Sequence, residues 1–246
     1  MATLNQICRH PIKSFGEEVI ERVLLTAGAH MPGDRVWAIA HGKSAYDATN
    51  PTWERSRNFV IQTLNPKLAQ LSVSLDGDKV TLTHPDIGAI TAEPDHDGEA
   101  LVAWLTPIVD PAVVGPFCVA RAPQPMTDFD NTHISIGSTS SLRSLEEMAD
   151  TQLARIRFRM NLWLDGLDPW VEQDWIGREI AVGSARLRII DPCKRCNATN
   201  ANPGTGVRDT DLPRLLHGEF GHMNFGVYAQ VTNGGEIATG DDVWAP

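Results

Sequence analysis

The chain has 246 residues, with 31 Asp and Glu against 21 Lys and Arg and a formal charge of -10. That balance disfavours a broad nucleic-acid or anionic-membrane face and leaves room only for a local basic pocket. Four cysteines do not make a disulfide framework, the first residues lack a basic segment followed by an apolar one, and no apolar run approaches the roughly 18 residues of a membrane helix. The expectation is a globular protein of a reducing, cytoplasmic compartment with no membrane span.

In chain order, strand-like segments come first: 19–25, 36–40, 68–75 and 79–83, several with period-two alternation. Asp76-Gly77-Asp78 between the last two is a hairpin signal. Gly98 to Leu105 reads as a short helix with Leu101, Trp104 and Leu105 on one face. Prolines 107, 111, 116, 123 and 125 then mark an irregular connection. It divides the chain into units 1–125 and 126–246.

The second unit opens with a strand over 131–136. Ser138-Thr139-Ser140-Ser141 follows as a hydroxyl-rich helix start, because such side chains satisfy the free N–H groups of a first turn. Leu142, Leu145 and Met148 continue it at helical spacing, and Glu146-Glu147 reads as a solvated face. Further strands are expected at 156–164, 185–190 and 226–232, and a short helix at 212–217. Strands outnumber helices, so the class is mainly β with a few helices, barrel-like.

The chemistry concentrates at Asp191-Pro192-Cys193-Lys194-Arg195-Cys196, just after an alternating run and before Asn202-Pro203-Gly204-Thr205-Gly206. Neighbouring cations lower a cysteine's pKa from about 8.5, which favours Cys196, directly after Arg195. A C-x-x-C pair is equally half of a zinc site, a redox disulfide or two small buried residues. Zinc would need more ligands, with His217 and His222 at a tolerated spacing. In a strand over 156–164, Arg157, Arg159 and Asn161 share one face, either solvated or lining a polar pocket. Trp163, Trp170 and Trp175 read as core.

Several motifs occur together in order. Arg9-His10-Pro11-Ile12-Lys13-Ser14 and Gly33-Asp34-Arg35-Val36-Trp37 resemble the MOSC N-terminal β-barrel domain. Ser138 to Leu142, Arg157 to Asn161, the C-x-R-C segment with its following P-x-T-G, and Gly235 to Val243 resemble the MOSC domain. The resemblance is to the branch that includes the mitochondrial amidoxime-reducing component and its bacterial counterparts, and it spans almost the whole chain. It implies a β-barrel-like MOSC fold preceded by a smaller β-rich domain, and a molybdenum cofactor (molybdopterin with Mo) held between the two.

The family's ligand cysteine falls on Cys196, which makes it both metal ligand and catalytic residue; thiolate suits such a metal. Cofactor contacts fall on Lys13, Ser14, Arg35, Thr139, Ser140, Ser141, Arg159 and Asn161, with Cys193, Lys194 and Arg195 flanking the ligand. The implied activity is two-electron reduction of N-hydroxylated or N-oxide small-molecule substrates, fed by an external flavin, iron–sulfur or haem carrier protein. A non-catalytic cofactor or sulfur carrier is the alternative. Pyridoxal phosphate binding is implied only at the level of the family. The chain departs from human-type relatives where their aspartate after the ligand cysteine becomes Asn202.

Overall fold

The computed structural model describes residues 2–245. The first half carries strands β1 (Ala2–Arg9), β2 (Glu18–Ile20), β3 (Arg22–Leu25), β4 (Trp37–Ala40), β5 (Ser72–Asp76), β6 (Lys79–His84) and β7 (Gly88–Ala92), helix α1 (Gly98–Leu105) and strand β8 (Cys118–Arg121). The second half adds β9 (Ile134–Ser138), α2 (Thr139–Ala149), β10 (Leu162–Asp165), β11 (Glu179–Val182), β12 (Ala185–Lys194), α3 (Leu212–Phe220), β13 (Asn224–Asn233), β14 (Gly235–Ala238) and β15 (Asp242–Trp244).

Seven strands close a barrel in the order β10-β9-β13-β12-β11-β15-β1, with β1 pairing back onto β10. Its interior is written in period two. Along β12, Ala185, Leu187 and Ile189 are buried while Arg186 and Arg188 are exposed, as alternate side chains of a strand must be. Leu4, Ile7, Ile136, Leu162, Val227 and Val243 join them in one apolar cluster. The first strand of the chain is thus a stave of a barrel otherwise built from residues after 133. This closure brings the end of β1 beside the segment before β10, where Cys8 N donates to Asn161 O at 2.7 Å.

β2 pairs with β1 and β3 with β14, and the remaining early strands form a β5-β6-β7 meander and a β4–β8 pair. They pack with α1 over a second core that includes Ile12, Phe15, Trp37, Val60, Leu82, Leu101 and Leu105. Among the described residues no helix is long and apolar enough to cross a membrane.

All three expected helices form, the last as α3. Leu101 and Leu105, one turn apart, are the buried residues of α1, and Ser138 caps α2 by accepting from Ser141 N. Four expectations change. The 19–25 strand breaks at Glu21 into β2 and β3, which pair with β1 and β14. The 68–75 segment begins as a 3-10 helix over Pro66–Gln70, with proline in its first turn, and only β5 is extended. Proline is pre-set for that position. The proline-spaced connection contains β8, which pairs with β4. The 156–164 strand is a 3-10 turn over Arg155–Phe158 ended by Arg159 in the left-handed region at φ 51°, and extended chain resumes at Leu162.

Candidate functional site

A cleft runs between the barrel and the loops of the N-terminal half. It is lined from the loop after β1 by Lys13 and Ser14, from the loop before β4 by Asp34 and Arg35, and from the 56–63 segment by Ser56, Gln62 and Thr63. The barrel side supplies Asp128, His133, Arg157, Arg159 and Asn161, and then Cys193, Arg195, Cys196 and Tyr228. Five cations (Lys13, Arg35, Arg157, Arg159, Arg195) therefore face two carboxylates (Asp34, Asp128). In a chain of net charge -10, this concentration of positive charge is local and built in.

Local backbone geometry aims these side chains. Ser14, Arg35 and Arg159 all have positive φ, at 68°, 51° and 51°. For non-glycine residues such backbone costs on the order of 1–3 kcal/mol each, so the surrounding bonds must hold it. Arg35 donates to Asp34, and through Nη2 to Arg159 O at 3.2 Å. Arg159 Nη1 donates to Phe15 O and Gly16 O at 2.8 and 3.0 Å. The loops after β1, before β4 and before β10 are thereby tied into one frame.

The lining groups differ in what they have left to offer. Lys13 is buried and uses its ammonium on Met126 O, Thr127 O and Asp128 Oδ1 at 2.9, 3.2 and 2.9 Å. Asn161 is likewise spent: Oδ1 accepts from Ser135 N and Oγ, each at 3.0 Å, and Nδ2 donates to Cys8 O at 3.2 Å. By contrast, Arg157 Nε, Arg159 Nη2 and Arg195 Nε are buried without a hydrogen-bond partner. Buried N–H groups rarely stay unpaired in a finished structure, and these three belong to residues that line one cleft.

Charge states follow from the same packing. Burial disfavours ionisation of Asp34, yet Arg35 and His10 beside it hold its carboxyl well below the usual range. Lys13 does the same for Asp128. Burial, reinforced by Arg35, pushes Arg159 down to about 9, so it remains a cation at neutral pH. Burial takes His133 down to about 4 and leaves it neutral.

The two cysteines of the C-x-x-C separate. Cys193 is buried and accepts from Arg195 Nη1, while burial raises its thiol. Cys196 is exposed and lines the cleft, with Thr63 Oγ1 3.5 Å from its sulfur. Its main chain is fixed by Thr199, whose N and Oγ1 donate to Cys196 O at 3.1 and 2.9 Å.

Not every residue singled out in the sequence arrives here. Thr139, Ser140 and Ser141 are buried but do not line the cleft. Thr139 donates to Asp165, Ser140 pairs with Ser138, and Ser141 donates to Glu172 Oε2 at 2.8 Å while accepting from Trp170 N. The hydroxyl run caps and packs its helix. Lys194 is exposed on the opposite side of β12 from Cys193 and also lies outside the cleft.

Arg157, read as sharing a strand face with Arg159 and Asn161, is instead 3% exposed in the 3-10 turn. Thr63, Asp128, His133 and Tyr228 carried no signal in the sequence. They converge from three distant segments, Asp128 and His133 sharing the loop before β9. Among the described residues no group of three or more His, Cys, Asp or Glu side chains is gathered to hold a metal, so His217 and His222 do not complete a zinc set with the cysteines.

A closed seven-stranded barrel, a smaller β unit and a cationic cleft with one open thiol define the class. The MOSC domain model matches residues 123–244 and the MOSC N-terminal beta barrel domain model matches residues 1–105, and the chain belongs to the family of proteins that carry these two domains. It is similar to mitochondrial amidoxime-reducing component 1 of Homo sapiens, 24% identical over 99% of this chain and 83% of that protein. It is also similar to the molybdenum cofactor sulfurase of Anopheles gambiae, 37% identical over 29% of this chain and 9% of that protein. Among solved structures, the YUAD protein from Bacillus subtilis aligns over 98% of this chain and 93% of that chain, at 13% identity and a TM-score of 0.42.

Proposed function

We propose that the cleft holds a molybdenum cofactor through Cys196 and that the protein reduces N-hydroxylated or N-oxide substrates. One observation carries the reading: the open thiol of the C-x-x-C pair shares a cleft with five cations, three of which keep an unpaired buried N–H. A soft thiolate suits molybdenum, and guanidinium groups suit a phosphate tail. When bound, the cofactor supplies two-electron oxygen-atom chemistry.

The residues of the chain would divide the work. Cys196 is the ligand. Arg157, Arg159, Arg195 and the Ser14 hydroxyl are the donors available to an anionic group, and Arg35 adds charge. Lys13 and Asn161, whose bonds are internally satisfied, keep the walls in place. Overall, two electrons and two protons convert an N-hydroxyl compound to the amine and water. The electrons come from an external flavin, iron–sulfur or haem carrier, in a cytoplasmic setting where the cysteines stay reduced. In this reading residues 1–125 and 126–246 are the two units that meet around the cofactor.

The test is purified, cofactor-loaded protein supplied with reduced viologen and a panel of hydroxylamines and amidoximes. Turnover that Cys196→Ala abolishes supports the enzyme. Tight pterin retention with no turnover on any substrate overturns it in favour of a cofactor carrier.

A further inference from the structure

The N-terminal unit reaches the Cys196 loop through one short segment. Gln62 Nε2 donates to Ala198 O at 3.0 Å, Gln70 Nε2 donates to Gly204 O at 3.3 Å, and Arg208 Nη2 returns a bond to Thr63 O at 2.5 Å. Gly206 closes against the same segment: at φ 66° it sits where an added Cβ would collide with Gln70 Oε1. Both sides of the contact are braced, and at its centre Thr63 Oγ1 lies 3.5 Å from Cys196 Sγ.

We propose that Thr63 is a positioning residue for Cys196, its hydroxyl donating to the sulfur whenever that sulfur is a thiolate. The direction is forced, because a thiolate has no proton to give and a threonine hydroxyl has one. The inference rests on the reading of Cys196 as the cofactor's ligand. The bond fixes the direction of the sulfur and takes up part of its charge. Such outer bonds to a ligating sulfur weaken it as a nucleophile and raise the reduction potential of a metal bound to it. Arg208 on the Thr63 carbonyl and Gln62 on the Ala198 carbonyl hold the two main-chain segments at the separation that lets the hydroxyl reach the sulfur.

The test starts with the metal-free full chain and follows iodoacetamide alkylation of Cys196 on the alkaline plateau of its rate, where the sulfur is fully ionised. Cys118, the other exposed thiol, is the internal reference. Thr63→Val should speed Cys196 by about threefold or more, since a thiolate freed of its donor is the better nucleophile. Thr63→Ser, which keeps the hydroxyl, should stay near the wild-type rate, and Cys118 should not change. A wild-type rate at Cys196 in Thr63→Val, or an equal change at both thiols, overturns the proposal.

In protein expressed with the cofactor, Thr63→Val should shift the molybdenum potential downward and Thr63→Ser should restore it. Failure of the cofactor reading looks different. Wild-type protein would then carry no molybdenum, while the alkylation comparison would still decide the Thr63 contact.

Discussion

Arg157 meets Asp209 through two parallel hydrogen bonds, Nη1 to Oδ1 at 2.8 Å and Nη2 to Oδ2 at 2.9 Å. Asp209 also accepts from Asn202 Nδ2 at 2.6 Å, so the pair anchors the far end of the loop that follows Cys196. The arginine side chain is 2% exposed and the aspartate 38%. Removing the carboxylate strands a buried guanidinium, and solvent at Asp209 softens the penalty. Asp209→Ala should cost about 2 kcal/mol in urea unfolding. Arg157 also holds the Asp209 carboxyl below its ordinary value. This contribution is complete above the unfolded pKa and fades as pH falls through the lower folded one, so wild type and variant should converge in acid.

Glu172 is fully buried, with Ser141 on Oε2 and nothing on Oε1. Burial lifts it from 4.5 to about 7. For an acid shifted upward, the folded state binds the extra proton between those values, so stability falls as pH rises through that window, by about 3 kcal/mol in all. Glu172→Gln keeps an acceptor for Ser141 and removes the titration. Urea midpoints at pH 5 and 7.5 should separate for wild type and coincide more closely for the variant.

Lys13 is a buried side chain among those lining the cleft. Lys13→Met withdraws three bonds at once; Thr127 O keeps Trp53 Nε1 as a donor, while Met126 O loses its side-chain donor. Unsatisfied buried acceptors cost about 1–3 kcal/mol each. Amide hydrogen exchange over 126–133 should accelerate while β11, whose Ile180 and Val182 lie in the barrel core, keeps its protection.

Much of this architecture was legible because a strand with one buried face must alternate. Leu187 and Ile189 against Arg186 and Arg188 announced a stave of the barrel, and Leu101 with Leu105 announced α1. Closure was not legible, since β1 finds β10 across some 150 residues of chain and no local pattern encodes a partner that distant. Phe158 and Met160 imitate a strand, and only tertiary bonds on Arg159 hold the left-handed turn that breaks it. The hydroxyls at 139–141 show one signal serving two ends. A helix start that could receive an anion here satisfies its own first turn and Glu172. The cleft residues with the clearest motifs, Cys196, Arg35 and Arg159, were readable; Thr63 was not, because its partner lies 133 positions away.

The sharpest measurement is molybdenum K-edge absorption fine structure on the cofactor-loaded chain, comparing wild type with Cys196→Ser. The result expected is a shell with one sulfur neighbour fewer in the variant, because the thiolate supplied by position 196 has gone. An identical sulfur shell in the two proteins would contradict the assignment of Cys196 as the ligand.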